Sequence, residues 1–284
     1  MNTAHVQSGI LHSPYSVIHT SFGRPVCRLG LATRGEGKLQ VADVLHALDR
    51  GVNFLNWCGQ PDALSAAVSA VGSRRRDLVV CVQFEARTTA EAKVEVASIL
   101  RELHTDYVDV LTLYYVEALE EWRQLIGPGG ALDFCRAAQR AGQVRLIGLT
   151  THQRPLAAEA ARSGMLDLLM IRYNAAHRGA ETEVFPITDA LAMPVVAFTC
   201  LRWGELLRST PDDPPGFQVP CAPAWYRYVL QSPSVTVAIM APENRAELDE
   251  DLSVLDLPAR LTMEEYAELM AHGRRVRRHA GRFP

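Results

Sequence analysis

Eight short apolar runs, separated by helical stretches, predict an α/β fold for this 284-residue chain: a single (β/α)8 TIM barrel with an N-terminal extension and a C-terminal helix. The runs are almost continuously apolar, as expected of strands that are buried on both faces. They occupy residues 27–33, 52–57, 78–84, 107–115, 144–150, 168–173, 194–199 and 235–240. A doubly wound sheet is the alternative, but it rarely needs eight such even units.

The segments between the runs carry apolar residues at helical spacing, most clearly in residues 89–103. Gly51, Gly142 and Gly164 follow three of these segments, where a glycine often ends a helix. The predicted helices are 39–50, 63–71, 89–103, 131–141, 155–163, 182–191 and 245–255. With no linker in between, residues 1–284 are expected to form one domain.

Two segments interrupt this regularity. Residues 207–223 are rich in proline and polar residues and follow the seventh run, so they predict a loop over the barrel mouth. The C-terminal segment begins as an amphipathic helix and ends in RRVRRHAGR. We interpret this basic end as solvated, with cations at the negative pole of the helix.

Composition excludes several functional classes. The net charge of -3 and the pI of about 6.3 disfavour nucleic-acid binding. No apolar run is long enough to span a membrane, and no signal peptide is evident, which predicts a cytoplasmic protein. The six cysteines are scattered without a CxxC pair, so neither a metal site nor a disulfide framework is expected. The oligomeric state is not predictable.

Six motifs, in order along residues 27–255, together carry a family resemblance. They are RGVNFLN, LRELHTDYVDVLTLYY, AGQVRLIGLTTH, DLLMIRYNAAHRGAETEVFP, PVVAFTCLRWGELL and VTVAIMAPENRAELDEDL. The chain resembles the aldo-keto reductases. This resemblance implies a barrel that binds NADPH in an extended conformation and reduces carbonyl groups by hydride transfer.

The resemblance fails at the reactive centre, where the family has Asp, Tyr, Lys and His. The Asp position falls on Asn56, the Tyr position on Pro61, the Lys position on Gln83 and the His position on Tyr114. A reductase tyrosine is acidified by an ammonium group that a carboxylate holds. Neutral amides at 56 and 83 provide neither charge.

The cofactor positions implied by the resemblance are weakened as well, so NADP or NAD binding stays an open expectation. Met170 replaces the Gln that holds the nicotinamide amide, and Arg245 lies near the position of the 2′-phosphate ligand beside Glu243 and Glu247. Carboxylates there would disfavour NADP more than NAD. The positions that persist are Thr33, Thr150, Phe198 and Thr199.

Active sites of these barrels lie at the carboxyl ends of the strands, which makes Tyr114, His152 and Glu85 the candidate catalytic residues. Tyr114 either donates a proton or only fills space. His152 either acts as general acid or base or bonds to backbone, and Glu85 is either a base or an exposed carboxylate. Tyr115 is expected to point between barrel and helices, because strand neighbours alternate.

Other residues at the predicted mouth suggest a substrate pocket. Arg34, Arg172 and Arg202 either converge to bind an anionic substrate or pair with nearby glutamates. Trp57 and Trp203 are expected to form apolar walls of the pocket.

Three functions therefore remain open. The favoured one is a small-molecule enzyme that performs non-standard acid–base chemistry at the barrel mouth. The alternatives are an NAD(P)H-dependent carbonyl oxidoreductase with a substituted proton donor and a non-catalytic binding or regulatory protein.

Overall fold

The computed structural model describes residues 14–33, 37–279 and 281. An antiparallel hairpin comes first, formed by β1 (Ser16–His19) and β2 (Arg24–Cys27). Eight parallel strands then close into a barrel in which each strand pairs with the next and β10 pairs with β3. They are β3 (Leu29–Ala32), β4 (Phe54–Trp57), β5 (Val79–Phe84), β6 (Val108–Leu113), β7 (Val144–Thr151), β8 (Leu168–Arg172), β9 (Val195–Phe198) and β10 (Val237–Met240). This confirms the predicted (β/α)8 TIM barrel.

Helices surround the barrel, and most coincide with the predicted segments. They are α1 (Val41–Asp49), α2 (Ala63–Ala70), α3 (Thr89–Glu102), α4 (Leu119–Ile126), α5 (Ala131–Arg140), α6 (Arg154–Arg162), α7 (Ala180–Glu183), α8 (Phe185–Ala190), α9 (Ala222–Leu230), α10 (Arg245–Leu252) and α11 (Met263–His279). None of the described helices is long and apolar enough to cross a membrane.

Four features of these elements differ from the prediction. The N-terminal extension contains the β1–β2 hairpin, and α4 and α9 were not predicted. α9 begins at Ala222, within the segment that was assigned to a loop, and Pro223 occupies its first turn, where proline is tolerated. The helix predicted over 182–191 is two short helices, because the backbone at Val184 leaves the helical conformation before Pro186.

The hairpin closes one end of the barrel. Phe22 and Val26 pack in the inner apolar cluster with Phe54 and Val79, the first residues of their strands. The rings of Phe22 and Phe54 meet edge to face with centroids 6.0 Å apart. The amino ends of the strands are therefore sealed by apolar side chains, and a ligand has access only at the carboxyl ends.

Alternate residues of each strand point into the barrel, which is tightly filled. A Cβ atom at Gly148 would lie 2.8 Å from a methyl group of Thr112, and one at Gly30 would lie 2.9 Å from Ile239. Both positions therefore need glycine. The close packing leaves little space below the mouth of the barrel.

The loop before α9 is tied to the C-terminal helix. Asp213 accepts hydrogen bonds from Nε of Arg275 at 2.6 Å and Nδ1 of His272 at 3.1 Å, while Arg278 binds Asp212 at 2.6 Å. Burial opposes the charge of Asp213, but these bonds and those from Thr210 lower its pKa to about 2. The basic C-terminal segment is exposed at Arg274, Arg277 and Arg278, as predicted for a solvated helix end, and it also pairs with the loop before α9.

A buried carboxylate holds the opposite end of the barrel together. Asp109 on β6 is 4% exposed and binds Arg75 at 2.8 Å, Arg145 at 3.0 Å and the backbone N–H of Val80 at 3.0 Å. Both guanidinium groups also stack on the ring of Tyr107, 4.2 Å and 4.1 Å from its centroid. Removing this carboxylate would leave two partly buried cations without their counter-ion.

We therefore expect Asp109→Ala to lower the free energy of unfolding by about 3 kcal/mol or more. Urea unfolding followed by circular dichroism measures this change. Asp106→Ala is the matched control, because Asp106 lies three residues earlier and is exposed. Equal stability of the two variants would contradict a structural role for the buried cluster.

Candidate active site

Polar side chains form a ring at the open end of the barrel. Phe54 on β4, Cys81 on β5 and Met170 on β8 belong to the apolar cluster inside the barrel. The residue two positions later on each of these strands also points into the barrel, because side chains alternate along a strand, and such a set of inward-pointing residues forms the inward row of its strand. Applied to the neighbouring strands, the same alternation gives a mouth ring of six side chains: Asn56, Gln83, Tyr114, His152, Arg172 and Phe198. The mouth thus presents two amides, a phenol, an imidazole, a guanidinium and a phenyl ring.

His152 is held by a carboxylate. Its Nδ1 lies 3.0 Å from Oε1 of Glu117, its backbone N–H donates to the same oxygen at 2.8 Å, and Nε2 of Gln153 donates to Oε2 at 2.9 Å. Burial opposes the charge of Glu117, but the hydrogen bonds from His152 and Gln153 outweigh it and lower the pKa of this carboxyl. An ionised carboxylate can only accept a hydrogen bond, so Nδ1 of His152 is the donor to Glu117.

Aromatic rings surround the imidazole, which is 8% exposed. The ring of Phe198 lies edge to face at 5.0 Å, and that of Tyr115 at 4.9 Å. Tyr115 also contacts Tyr114, with ring centroids 5.5 Å apart. The prediction that Tyr115 points away from the mouth was wrong, because β6 ends at Leu113 and Tyr115 has a φ of 56°, which breaks the strand alternation.

The phenol of Tyr114 lacks the acidification that a reductase requires. Burial raises its pKa, and Cys58, Tyr115 and Glu85 act in the same direction. Glu85 itself is exposed, on the loop after β5. Tyr114 therefore stays a protonated phenol, suited to donate a hydrogen bond rather than to transfer its proton.

The amides at the family's Asp and Lys positions are both in the mouth ring. Asn56 is 3% exposed, and no donor among the described residues reaches its Oδ1 atom. Gln83 is half-buried one strand further on. Neither group carries a charge, so these two positions cannot provide the carboxylate and the ammonium that the family resemblance implies there.

Arginine side chains lie on the other side of the mouth, at the end of β8 and after β9. Arg172 ends β8, and Arg202 is almost fully buried in the turn after β9. Burial lowers the pKa of Arg172, and the nearby charges of Arg154 and Arg202 act in the same direction. Two of the three arginines expected to converge are therefore close together. Arg34, the third, lies outside the described residues.

The two tryptophans predicted as pocket walls differ in position. Trp57 is 1% exposed in the apolar layer between barrel and helices, and its Nε1 donates to the carbonyl of Gln60 at 2.7 Å. It therefore cannot line the mouth, because the alternation of β4 directs Asn56 inward and Trp57 outward. Trp203 is 60% exposed after β9, and its role as a wall stays a prediction.

Comparison with known proteins is consistent with this architecture. A sequence model of the aldo/keto reductase family matches residues 33–220, more than half of the chain. The chain belongs to this family. The aldo-keto reductase AKR11C1 from Bacillus halodurans superposes with TM-scores of 0.75 in its holo form and 0.72 in its apo form, at 17% identity in both cases. Each match covers 92% of this chain and 96% of the reductase. A search of curated proteins found no match.

Most of the positions that the family resemblance assigns to nicotinamide binding contact other side chains of this chain. Thr150 is buried on the inward row of β7, with its hydroxyl 3.5 Å from the sulfur of Met170. That thioether replaces the family's amide. The ring of His152 packs edge to face against Phe198. The hydroxyl of Thr33 donates a hydrogen bond to Asp62 instead of facing a ribose. Thr199 follows β9, and its hydroxyl has no hydrogen-bond partner among the described residues.

The phosphate end of the dinucleotide site is closed by this chain's own side chains. Arg245 donates to Asp249 at 2.9 Å and to Asp43 at 3.4 Å. At the start of α10, Oδ1 of Asn244 accepts the N–H of Glu247, and the Glu247 carboxylate accepts the N–H of Glu243. A carboxylate at a helix N-terminus repels a phosphate, so these residues do not fit NADP.

We expect no saturable binding of NADPH or NADH at micromolar concentration when tryptophan fluorescence is followed during titration. Replacing Glu247 by Gln removes the repulsive carboxylate. Tight binding should still be prevented, because Arg245 is already paired with Asp249 and Asp43 and because Met170 has a thioether in place of an amide. A micromolar dissociation constant for either nucleotide with the unmodified protein would overturn this interpretation of the site.

Acid stability offers a test of the cationic side of the mouth. Burial lowers the pKa of His177 to about 3, and the nearby arginines act in the same direction. Between this value and the usual pKa of about 6.5, only the unfolded state binds the proton. His177 therefore weakens the folded state progressively as the pH falls below 6.5.

We expect His177→Gln to lose less free energy of unfolding than the unmodified protein between pH 7 and pH 5. Urea titrations at both pH values measure the difference. His104→Gln is the control, because His104 is exposed and should leave the pH dependence unchanged. The same pH dependence in the His177 variant would contradict a buried neutral imidazole.

Proposed function

We propose that this aldo-keto reductase family member is a small-molecule enzyme that transfers protons rather than hydride. The observation that carries the proposal is the hydrogen bond between Glu117 and Nδ1 of His152 at the carboxyl end of β7. A carboxylate that orients an imidazole prepares the other ring nitrogen for acid–base catalysis. The compartment we propose is the reducing cytosol, since all six cysteines are free.

The reaction class that suits these groups is proton abstraction next to a carbonyl. Nε2 of His152 takes the proton from the carbon, and the electron pair of the C–H bond moves to the carbonyl oxygen, which becomes an enolate. Glu117 offsets the positive charge that forms on the imidazole. The phenol of Tyr114, which keeps its proton, donates a hydrogen bond to the enolate oxygen.

The same imidazolium then returns the proton, either to the original carbon or, in a hydroxycarbonyl substrate, to the former carbonyl carbon. The second route requires that the proton of the neighbouring hydroxyl moves to the enolate oxygen, so that a new carbonyl forms at the hydroxyl position. The first outcome exchanges or racemises the centre, and the second isomerises the substrate. No electrons leave the substrate in either case, so the step needs no oxidant or reductant. Asn56 and Gln83 contribute neutral hydrogen-bonding groups to the bound substrate.

Exchange of carbon-bound hydrogen in D2O tests this proposal directly. We expect the enzyme to exchange the α-hydrogen of at least one member of a panel of hydroxyketones, hydroxyaldehydes and keto acids, as followed by proton NMR. His152→Asn should lower the rate by about a hundredfold or more, and Glu117→Gln by a smaller factor, since it removes only the orienting charge.

His104→Asn provides the matched control, because it removes an exposed imidazole that precedes β6, at the amino end of the strand and not at the mouth. Its exchange rate should equal that of the unmodified enzyme. Oxidation of NADPH or NADH against the same carbonyls would favour the oxidoreductase function instead. Binding of panel members without any exchange would favour a non-catalytic protein.

A further inference from the structure

The cationic side of the mouth is built around one loop, residues 173–179. Arg277 of α11 donates to the carbonyl of Ala176 at 3.2 Å, and the guanidinium of Arg154 packs directly against Gly179. Nδ2 of Asn174 donates to the carbonyl of Thr199 at 2.8 Å, which joins the loop to the turn that carries Arg202. Elements from three parts of the chain thus bring guanidinium groups to one place.

Within this group, Arg172 is the member of the mouth ring. Thr150 pairs with Met170 in the register of β7 and β8, so the residues two positions later, His152 and Arg172, lie side by side on neighbouring inward rows. On its other side Arg172 pairs in register with Phe198. A group bound by Arg172 would therefore sit beside the proposed acid–base residue, next to an apolar ring.

Carboxylates lie among the arginines of this region. Glu183 binds Nε of Arg154 at 2.8 Å, and Glu117 and Glu205 lie near Arg172 and Arg202 respectively. Burial is the main cause of the lowered pKa of His177, and the nearby arginines add to it. The carboxylates repel a phosphate dianion more strongly than a substrate carboxylate, and a guanidinium group can bind that carboxylate through two hydrogen bonds.

Asn56 lies across the barrel from Arg172. In the closed strand order three strands lie between β4 and β8 in either direction, so the two side chains face each other over the mouth. The Oδ1 atom of Asn56 is buried and has no donor among the described residues. A buried acceptor without a partner is costly, and a ligand O–H or N–H group at this point would remove that cost.

We propose that the mouth binds a small organic carboxylate that also carries a hydrogen-bond donor: its carboxylate on Arg172, its hydroxyl or amino group on Asn56, and its intervening carbon atoms over His152. The inference rests on the proposed function, since it names the substrate class of that site. It also explains why, among the described residues of the mouth ring, a guanidinium group lies on one side and the Asn56 and Gln83 amides on the other.

Simple hydroxycarboxylates of three to six carbon atoms are suitable probes, with binding measured by isothermal titration calorimetry at constant ionic strength. We expect at least one to bind more tightly than its methyl ester, which lacks the charge, and than the unsubstituted carboxylate, which lacks the donor. Inorganic phosphate tests whether the site binds phosphate groups instead of carboxylates. We expect it to bind more weakly than the best carboxylate.

Arg172→Gln should weaken carboxylate binding about tenfold or more, and Arg172→Lys should retain part of it. Asn56→Leu should abolish the preference for the hydroxycarboxylate over the unsubstituted acid while leaving carboxylate binding in place. Arg123→Gln is the matched control, since Arg123 is an exposed residue of α4 and should leave affinity unchanged. If Arg172→Gln does not fold, the Lys variant and the ester comparison carry the test.

Equal affinity for acid and ester, or phosphate binding tighter than every carboxylate, would overturn this inference. Its failure is distinguishable from failure of the proposed function. Exchange activity on neutral carbonyls without carboxylate binding would remove only the substrate class. Carboxylate binding that depends on Arg172, without any exchange by His152, would remove only the catalytic function.

Discussion

The alternation of inward and outward side chains along eight closed strands is the constraint on which this molecule depends. It places apolar residues at the amino ends, where the hairpin seals the barrel, and it aligns a polar ring at the carboxyl ends. The same alternation decides that Asn56 faces the mouth whereas its neighbour Trp57 is buried in the outer layer. The amides of Asn56 and Gln83 and the guanidinium of Arg172 are presented at the mouth by that geometry.

On this family scaffold, the charged side chains of the mouth lie on other strands than the charged positions that the family resemblance implies. The family's ammonium and carboxylate belong to neighbouring strands that here carry Gln83 and Asn56. The Glu117–His152 pair and Arg172 instead concentrate charge at β7 and β8. Burial raises the pKa of Tyr114 at the mouth, and this supports the proposal that the chain transfers protons rather than hydride.

The sequence was sufficient to predict the barrel, because continuous apolar runs and their spacing reflect burial on both faces of each strand. It was also sufficient to place Asn56, Gln83, Tyr114, His152 and Arg172 at strand ends. It did not reveal that Glu117 holds His152, because the two residues are 35 positions apart and only the β6–β7 neighbourhood unites them. The segment that contains the start of α9 was predicted as a loop, because prolines precede this helix and occupy its first turn, and proline-rich segments commonly form loops.

The neighbouring positions of Arg172 and His152 have an electrostatic consequence for the order of events at the mouth. In the proposed proton transfer, the positive charge that forms on the imidazole lies between the carboxylate of Glu117 and the guanidinium of Arg172, which act on it in opposite directions. A substrate carboxylate on Arg172 adds a second negative charge at the same place. In this proposal, binding of the anion favours the proton transfer that follows, and the basic side of the mouth both selects the substrate and supports the charge on His152.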